Sequence, residues 1–150
     1  MDIEKFMKVA IEEAEMSVAE GNKPIGAVIV DLETKEILSK GHNMQVTEHD
    51  PTAHGEIVAI RKACKQKEST YLPNVALFTT TEPCTMCISA ILKSKIPQLY
   101  FGISNKKLID NGFRLIPFNN SKLVGNSSYT INIHGGVLEQ ECLEQRLRLK

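Results

Sequence analysis

The first forty residues alternate between apolar and polar positions in two different ways. Over residues 3–20 the apolar residues return every three or four positions until Gly21 interrupts them, which predicts an amphipathic helix that packs on a sheet. Residues 25–30 form a short apolar run of mostly β-branched type, and 36–40 predict a second strand after a turn. The sheet is therefore predicted to begin with an antiparallel pair.

Helices and strands alternate through the middle of the chain. Thr52 is expected to cap a helix whose apolar face runs from Ile57 to Ala63, and Glu82-Pro83 is a second helix-start signal. Because a crossover helix is the usual connection between parallel strands, this part of the chain favours parallel pairing. The other elements expected here are a strand at 75–80, a helix with its apolar body at 88–92 and a strand at 98–102.

Periodicity fades in the last third of the chain. Asparagine, glycine, proline and serine punctuate residues 104–128, which predicts a loop with one short helix. Residues 129–133 are predicted as a last strand, and residues 137–149 as a closing helix with Cys142 on its apolar side. These elements predict an α/β fold. Since a domain usually has about 100–200 residues, residues 1–150 are expected to form one domain.

Composition narrows the classes of protein. The chain is 42% hydrophobic and 24% charged, with 18 basic and 18 acidic residues, as in an ordinary soluble globular protein. A net charge of zero gives no long-range attraction for a polyanion, although a local basic patch stays open. No apolar run approaches the ~20 residues of a membrane span, and the first residues do not resemble a signal peptide, so no membrane association and a cytoplasmic location are expected.

Two short segments carry the chemistry, His54-Gly55-Glu56 and Pro83-Cys84-Thr85-Met86-Cys87, each at a predicted helix start. His54, Cys84 and Cys87 supply three ligands of the kinds that zinc prefers, and three protein ligands leave a position open for water, as in catalytic sites. The positive end of a helix dipole favours the thiolate form of the cysteines. The sequence therefore predicts a catalytic zinc site.

Glu56 follows His54 by two residues, so it is expected to approach the metal site without being a ligand. Zinc lowers the pKa of its bound water toward ~7, which makes a nucleophile available at neutral pH. A carboxylate that takes and returns protons then completes the requirements for releasing ammonia from an amidine-like ring carbon. Glu56 is predicted to be the catalytic proton carrier, and its presence argues against an inactive zinc-stabilised binding module.

Other histidines, cysteines and basic residues are given less specific interpretations. The Cys-x-x-Cys spacing alone is also typical of a redox pair or of half a structural zinc site, but no fourth ligand has a convincing spacing. Cys64 and Cys142 are expected to pack in the core, His42 to be half-exposed at a strand end, and His49 and His134 to lie on the surface. The short basic clusters are expected to be solvated: Lys106 with Lys107, and Arg146 with Arg148 and Lys150.

The ordered pattern His-x-Glu and Pro-Cys-x-x-Cys resembles the signature of the cytidine deaminase superfamily. The resemblance spans residues 3 to 102. It implies a three-layer α-β-α sandwich with a mixed five-stranded sheet, a Zn2+ cofactor and a homodimer or larger assembly. It further implies that Asn43 contacts the base or ribose, that Ile25 is a wall against the ring, and that Pro83 lies beside the leaving amine. The motifs include Pro24-Ile25-Gly26-Ala27-Val28, Gly41-His42-Asn43, Asp50-Pro51-Thr52-Ala53-His54 and Thr80-Thr81-Glu82-Pro83-Cys84.

Three groups within this superfamily share these motifs: tRNA adenosine deaminases, guanine deaminases and fungal-type cytosine deaminases. After Phe101-Gly102 the chain departs from the tRNA enzymes, and its net charge is zero where a phosphate-binding protein tends to be basic. It also lacks the acidic pair and the aromatic tail of the guanine enzymes. The sequence therefore favours a small free nucleobase of guanine, cytosine or isocytosine type as substrate and partner, with the tRNA anticodon as the alternative.

Overall fold

The structure is a computed structural model of the chain, and it describes residues 1–149. Its sheet has five strands in the spatial order β2-β1-β3-β4-β5. β1 pairs antiparallel with both β2 and β3, whereas β3 with β4 and β4 with β5 are parallel. The mixed sheet implied by the resemblance is confirmed. The strands are β1 at Gly26–Asp31, β2 at Ile37–His42, β3 at Val75–Thr81, β4 at Gln98–Ile103 and β5 at Asn132–His134.

Helices cover both faces of the sheet, which gives the expected three layers. One face packs α2 and α3 against side chains such as Ile29 and Leu77, and the opposite face packs α1 against side chains such as Val28 and Phe78. The alternation of buried side chains between the two faces follows from the period of two along a strand. The helices are α1 at Ile3–Ala19, α2 at Gly55–Lys67, α3 at Thr85–Lys93, α4 at Asn105–Asp110, α5 at Asn120–Gly125 and α6 at Glu139–Arg148.

The predicted helix starts are largely correct, with one wrong cap. The carboxylate of Asp2 accepts a hydrogen bond from the Lys5 backbone amide and so caps α1. Thr52 does not cap α2, because α2 begins later and its N-cap residue is His54. The Thr52 hydroxyl instead donates to the Asp50 carboxylate at 2.7 Å. His54 is therefore a cap position whose side chain is available for another role.

The last third of the chain differs from its prediction in two respects. The segment 104–128 contains two short helices, α4 and α5, rather than one. The last strand is three residues long and begins at Asn132, because only residues 132–134 reach the free edge of β4. The position of such an edge strand depends on the strand beside it. The alternation of apolar and polar residues within 129–133 therefore does not show where β5 begins.

His42 is a buried ion-pair residue, so its predicted half-exposed setting is wrong. It is 8% exposed, and its two ring nitrogens lie 2.7 Å from Glu13 and 2.8 Å from Glu20, both on α1. Because each nitrogen faces a carboxylate oxygen, both nitrogens donate and the ring is an imidazolium. Burial lowers the pKa of His42, but the hydrogen bonds to the two carboxylates outweigh burial and raise it.

The remaining cysteines and histidines lie as predicted. Cys142 is buried in the core, where burial raises the pKa of its thiol to about 12, and Cys64 packs at the edge of the other core. His49 and His134 are exposed. Within residues 1–149, no helix combines the length and the apolar character that crossing a bilayer requires.

Candidate functional site

The three predicted metal ligands come together where α2 and α3 begin. His54 and Cys84 are the N-cap residues of these helices, and Cys87 lies in the first turn of α3. The His54 Nδ1 atom is 3.6 Å from the Cys84 sulfur and 3.4 Å from the Cys87 sulfur. All three ligand atoms lie within 4.8 Å of one another.

These separations fit a zinc ion. Tetrahedral zinc with bonds of about 2.0–2.3 Å places neighbouring nitrogen and sulfur ligands roughly 3.5 Å apart. One imidazole and two thiols are donors that zinc binds well, and the described residues add no fourth histidine, cysteine or carboxylate to the group. The site therefore has the three-ligand form that keeps one position open for chemistry.

The protonation states of the three groups are coupled. Hydrogen bonds from Cys87 and from His54 outweigh burial and lower the pKa of the Cys84 thiol to about 4. The hydrogen bond to Cys84, together with burial, raises the pKa of the Cys87 thiol. The hydrogen bond to Cys84 also raises the pKa of His54. The thiolate form of Cys84 is thus favoured, and Cys87 has to release its proton when it binds a metal.

Glu56 lies beside the ligands without joining them. It is in the first turn of α2 and is 3% exposed. The hydroxyl of Thr79 on β3 donates to Glu56 Oε1 at 2.6 Å. Because this hydrogen bond fixes one carboxylate oxygen, the position of Glu56 is set by the sheet as well as by its own helix.

A cavity opens onto these groups. Its walls include His54, Glu56, Cys84 and Thr81. The Thr81 hydroxyl oxygen is buried and has no hydrogen-bond partner among residues 1–149. The cavity therefore combines the metal ligands and the carboxylate with an unused polar group, a combination that suits a ligand with both ring and polar atoms.

Two of the three predicted substrate-binding residues line this cavity. Ile25 is half-buried there, and Asn43 is 1% exposed. The Asn43 side chain is held by Gln45, to which it donates at 2.7 Å and from whose backbone amide it accepts at 3.0 Å. Pro83 is buried behind the wall, where its carbonyl accepts a hydrogen bond from the Asn120 side chain at 2.7 Å.

Glu82 connects the metal site to the segment 104–128. One of its carboxylate oxygens accepts from the Asn105 backbone amide at 3.0 Å, and the other accepts from the Asn120 side chain at 3.0 Å. Asn105 begins α4 and Asn120 begins α5, so a single carboxylate positions both short helices. Asn105 and a further residue of this segment, Leu115, line the cavity.

Several residues of the site are not predicted from the sequence, and Thr79 and Arg146 are two of them. Thr79 is three residues before Glu82 in a buried strand, and nothing in the local pattern distinguishes it from a core residue. Arg146 was expected on a solvated face, but it is 7% exposed and lines the cavity. One signal was present, because Arg146 follows the buried Cys142 by one helical turn and therefore shares its face. Arg148 is exposed as expected, and Lys150 lies outside the described residues.

An imidazole and two sulfurs suffice for an open zinc site, and hydrolytic removal of an amine needs a proton carrier beside it. The fold and the site thus define a zinc-dependent deaminase. The family described as the cytidine and deoxycytidylate deaminase zinc-binding region matches residues 1–103. The chain belongs to this family, and zinc is its cofactor.

Individual relatives act on different substrates. A tRNA-specific adenosine deaminase from Haemophilus influenzae is 40% identical over 142 residues, which cover 95% of this chain and 79% of the relative. A solved structure from a study of A-to-I editing by tRNA:A34 deaminases has a TM-score of 0.80 at 31% identity and covers 94% of this chain and 98% of its own. A guanine deaminase structure from Bacillus subtilis has a TM-score of 0.69 at 35% identity, over 79% and 85% of the two chains.

The expectation of a free nucleobase as substrate and main partner is wrong, because several curated relatives that match nearly the whole chain at 34–40% identity are tRNA-specific adenosine deaminases. That expectation depended on the residues after Gly102 and on the net charge. A match over 142 of the 150 residues extends into the segment 104–128 despite its different motif. Net charge is a sum over the whole surface and does not describe the charge around one cavity.

Proposed function

We propose that this chain is a zinc-dependent tRNA adenosine deaminase that converts adenosine to inosine at the wobble position of an anticodon. The observation that carries this proposal is the 40% identity to a tRNA-specific adenosine deaminase over 142 residues. The buried carboxylate beside three metal-binding side chains supports it independently. In this proposal residues 1–150 act as one deaminase domain, and adenosine and water give inosine and ammonia.

His54, Cys84 and Cys87 hold the zinc ion in this proposal. When bound, zinc supplies a water molecule whose pKa is lowered to about 7 and which is therefore a nucleophile at neutral pH. The three side chains come from two helix starts, so the ion also fixes α2 relative to α3. Cys84 is already a thiolate in the coupled cluster, which favours metal binding at neutral pH.

Glu56 moves the protons of the reaction. It takes one proton from the attacking water and delivers it to N1 of adenine while the water oxygen bonds to C6. It then takes the proton of the new C6 hydroxyl and delivers it to the amine, which leaves as ammonia when the C6–N bond breaks. The hydrogen bond from Thr79 holds one carboxylate oxygen in place through these steps. Because Glu56 is 3% exposed, bulk water has little access to the protons that it carries.

The cavity residues position the base. Ile25 lies against the ring, Asn43 contacts the base or ribose, and Pro83 lies near the leaving amine. The support for Ile25 and Asn43 is their place in the cavity wall. Pro83 has indirect support, because its hydrogen bond to Asn120 ties it to α5 at the edge of the site.

A substrate panel tests the proposal. Purified protein is given an RNA anticodon stem-loop with adenosine at the wobble position, and in separate reactions guanine, cytosine, isocytosine and adenine. We expect ammonia and inosine from the stem-loop only. A stem-loop with guanosine at the same position is the matched control and is expected to release no ammonia. Turnover of a free base with an unchanged stem-loop would overturn the proposal.

A further inference from the structure

Arg146 is a buried cation without an anionic partner among the residues that the structure describes. Its side chain belongs to α6 and is 7% exposed, and its Nε atom has no hydrogen-bond partner among residues 1–149. The guanidinium carbon lies 4.9 Å from the centre of the Phe113 ring, a contact that stabilises a cation without neutralising it. Burying a guanidinium without a hydrogen-bonded anion is unfavourable. An unpaired arginine in this setting indicates an anion that binds beside it.

The location of Arg146 connects that anion to the active site. Arg146 lines the same cavity as Glu56 and the metal ligands. It also lines an adjoining cavity together with Lys23 and Arg114. Lys23 and Arg114 are exposed, and within the described chain neither forms an ion pair with a carboxylate. Three positive side chains that have no acidic partner within residues 1–149 therefore surround the mouth of the cavity.

Two other cations nearby are paired. Arg148, two residues after Arg146, forms an ion pair with Glu15, and Lys107 of α4 forms one with Glu139 at 2.6 Å. The chain as a whole has no net charge, so the positive mouth is a local feature rather than part of a basic surface. Of the acids that line the inner cavity, Glu56 serves the metal site and Glu82 is bonded to Asn105 and Asn120.

We propose that Arg146, together with Arg114 and Lys23, binds a backbone phosphate of the RNA substrate next to the nucleotide whose base enters the zinc cavity. This inference rests on the proposed function, since it takes the ligand to be RNA. A guanidinium binds a phosphate through two parallel hydrogen bonds and holds it in one orientation. A phosphate supplies the negative charge that a neutral base lacks.

Binding measurements with matched variants test the site. The probe is a fluorescently labelled RNA anticodon stem-loop, and its anisotropy is followed with the full-length zinc-loaded protein. Arg146→Gln is expected to weaken binding about tenfold at about 0.1 M salt, as loss of a hydrogen bond to a charged group does. It is also expected to flatten the slope of log Kd against log salt by about 0.7, the value for one phosphate contact on a single strand.

Arg148→Gln is the matched control, because it removes the same charge from the same helix at a residue that is paired with Glu15 and exposed. It is expected to change binding less than about twofold. Since Arg146 is buried, zinc content and melting temperature are measured for its variant. Arg114→Gln changes an exposed residue of the same site, so it tests the proposal even where Arg146→Gln fails to fold, with weaker binding and a flatter salt slope expected.

The outcomes separate this site from the proposed function. If the protein forms inosine and the variants Arg146→Gln and Arg114→Gln both bind RNA as well as Arg148→Gln does, the phosphate site is wrong and the deaminase proposal stands. If binding depends on Arg146 and Arg114 but the bound adenosine stays unchanged, the phosphate site is supported and the proposed tRNA deaminase activity is wrong. A protein that neither binds nor deaminates the stem-loop contradicts both.

Discussion

Glu56 and the three metal-binding side chains have different roles although they lie side by side. His54, Cys84 and Cys87 form one group of ligand atoms, and Glu56 is outside that group and hydrogen-bonded to Thr79. Removing a metal ligand and removing a proton carrier are therefore expected to have different effects. Loss of a ligand affects the metal, and loss of the carrier affects only the rate.

Glu56→Gln is expected to retain zinc and the fold and to lower the rate of inosine formation about 10³-fold, because the amide cannot accept and return protons. Single-turnover kinetics and elemental analysis of the same sample measure the two properties. Glu36→Gln, at an exposed position between β1 and β2, is the matched control and is expected to leave both unchanged. Loss of zinc from the Glu56 variant would show that Glu56 is a ligand.

For single residues, the sequence predicts those site positions that depend on local spacing along the chain. His54, Glu56, Cys84 and Cys87 are each close to a helix start, so spacing alone brings their side chains to the same end of two helices. Thr79 contacts Glu56 across 23 residues of chain, and no local pattern reveals such a contact. The predicted exposure of Arg146 is wrong because its burial depends on how α6 packs on the rest of the molecule.

The helices that carry the site are held close to the sheet by small residues. At Gly41 of β2 an added Cβ atom would lie 2.5 Å from the Gly55 carbonyl oxygen and 2.6 Å from the Ala59 backbone nitrogen, both in α2. Such distances are too short for any side chain, and the atoms are backbone atoms that cannot rotate away. Gly41 thus fixes the position of the helix that carries Glu56.

Gly41→Ala is expected to lower the free energy of unfolding by about 3 kcal/mol, because α2 has to move away from β2. Urea denaturation followed by circular dichroism measures the change. Gly125→Ala is the control, since a Cβ atom at Gly125 meets nothing within 4 Å. It is expected to change stability by less than about 1 kcal/mol. Equal stability of the two variants would contradict the close approach of α2.

His42 connects β2 to α1 and makes stability depend on pH. The pKa of His42 is raised in the folded protein, so its stabilising effect is complete below the unfolded value of about 6.5 and is lost as pH rises through the folded value. His42→Gln is expected to cost about 3 kcal/mol at pH near 6, because it leaves Glu13 buried without its cation.

The measurement is urea denaturation of both proteins at pH near 6 and near 9. The difference between wild type and His42→Gln is expected to shrink at the higher pH. His49→Gln, at an exposed histidine, provides the control and is expected to show no such trend. A difference that stays constant or grows with pH would contradict the imidazolium assignment.

The sequence predicts best the helices and strands whose apolar side chains pack in the core. α1 buries one apolar face and β1 and β3 are buried on both faces, and the structure places α1 and the strands β1 to β4 within two residues of the prediction. β5 and the helices α4 and α5 depend on distant partners, such as the edge of β4 and the carboxylate of Glu82. Their positions are therefore not encoded in the local pattern.

On the scale of the whole molecule, the metal site joins two helices that start far apart in the sequence. His54 and Cys84 are 30 residues apart and belong to α2 and α3. A ligand that binds the folded chain but not the unfolded chain stabilises it by mass action. Zinc is therefore expected to support the fold as well as the chemistry.

Removal of zinc with a chelator is expected to lower the melting temperature by about 10 °C, since several kcal/mol of binding free energy is lost in a domain of this size. Differential scanning calorimetry before and after dialysis measures the change, and restoring zinc is expected to reverse it. Cys64→Ala, which alters a cysteine outside the ligand group, is expected to show the same chelator response as wild type. An unchanged melting temperature on chelation would contradict the coupling of zinc to the fold.

Whole-molecule charge gave the wrong expectation about the partner. Eighteen basic and eighteen acidic residues cancel in the sum, and the sequence does not reveal which of them pair in space. Lys107 and Arg148 form ion pairs, whereas Lys23, Arg114 and Arg146 around one cavity form none with any other residue in the described part of the chain. A neutral protein is therefore compatible with a positive binding site.

X-ray absorption spectroscopy at the zinc edge tests the central assignment most directly. Protein purified without chelators is expected to show one zinc ion per chain with two sulfur ligands at about 2.3 Å and two nitrogen or oxygen ligands at about 2.0–2.1 Å. Cys87→Ser is expected to lose one sulfur ligand or the metal itself. Three or four sulfur ligands, or no stoichiometric zinc, would contradict an open site formed by His54, Cys84 and Cys87.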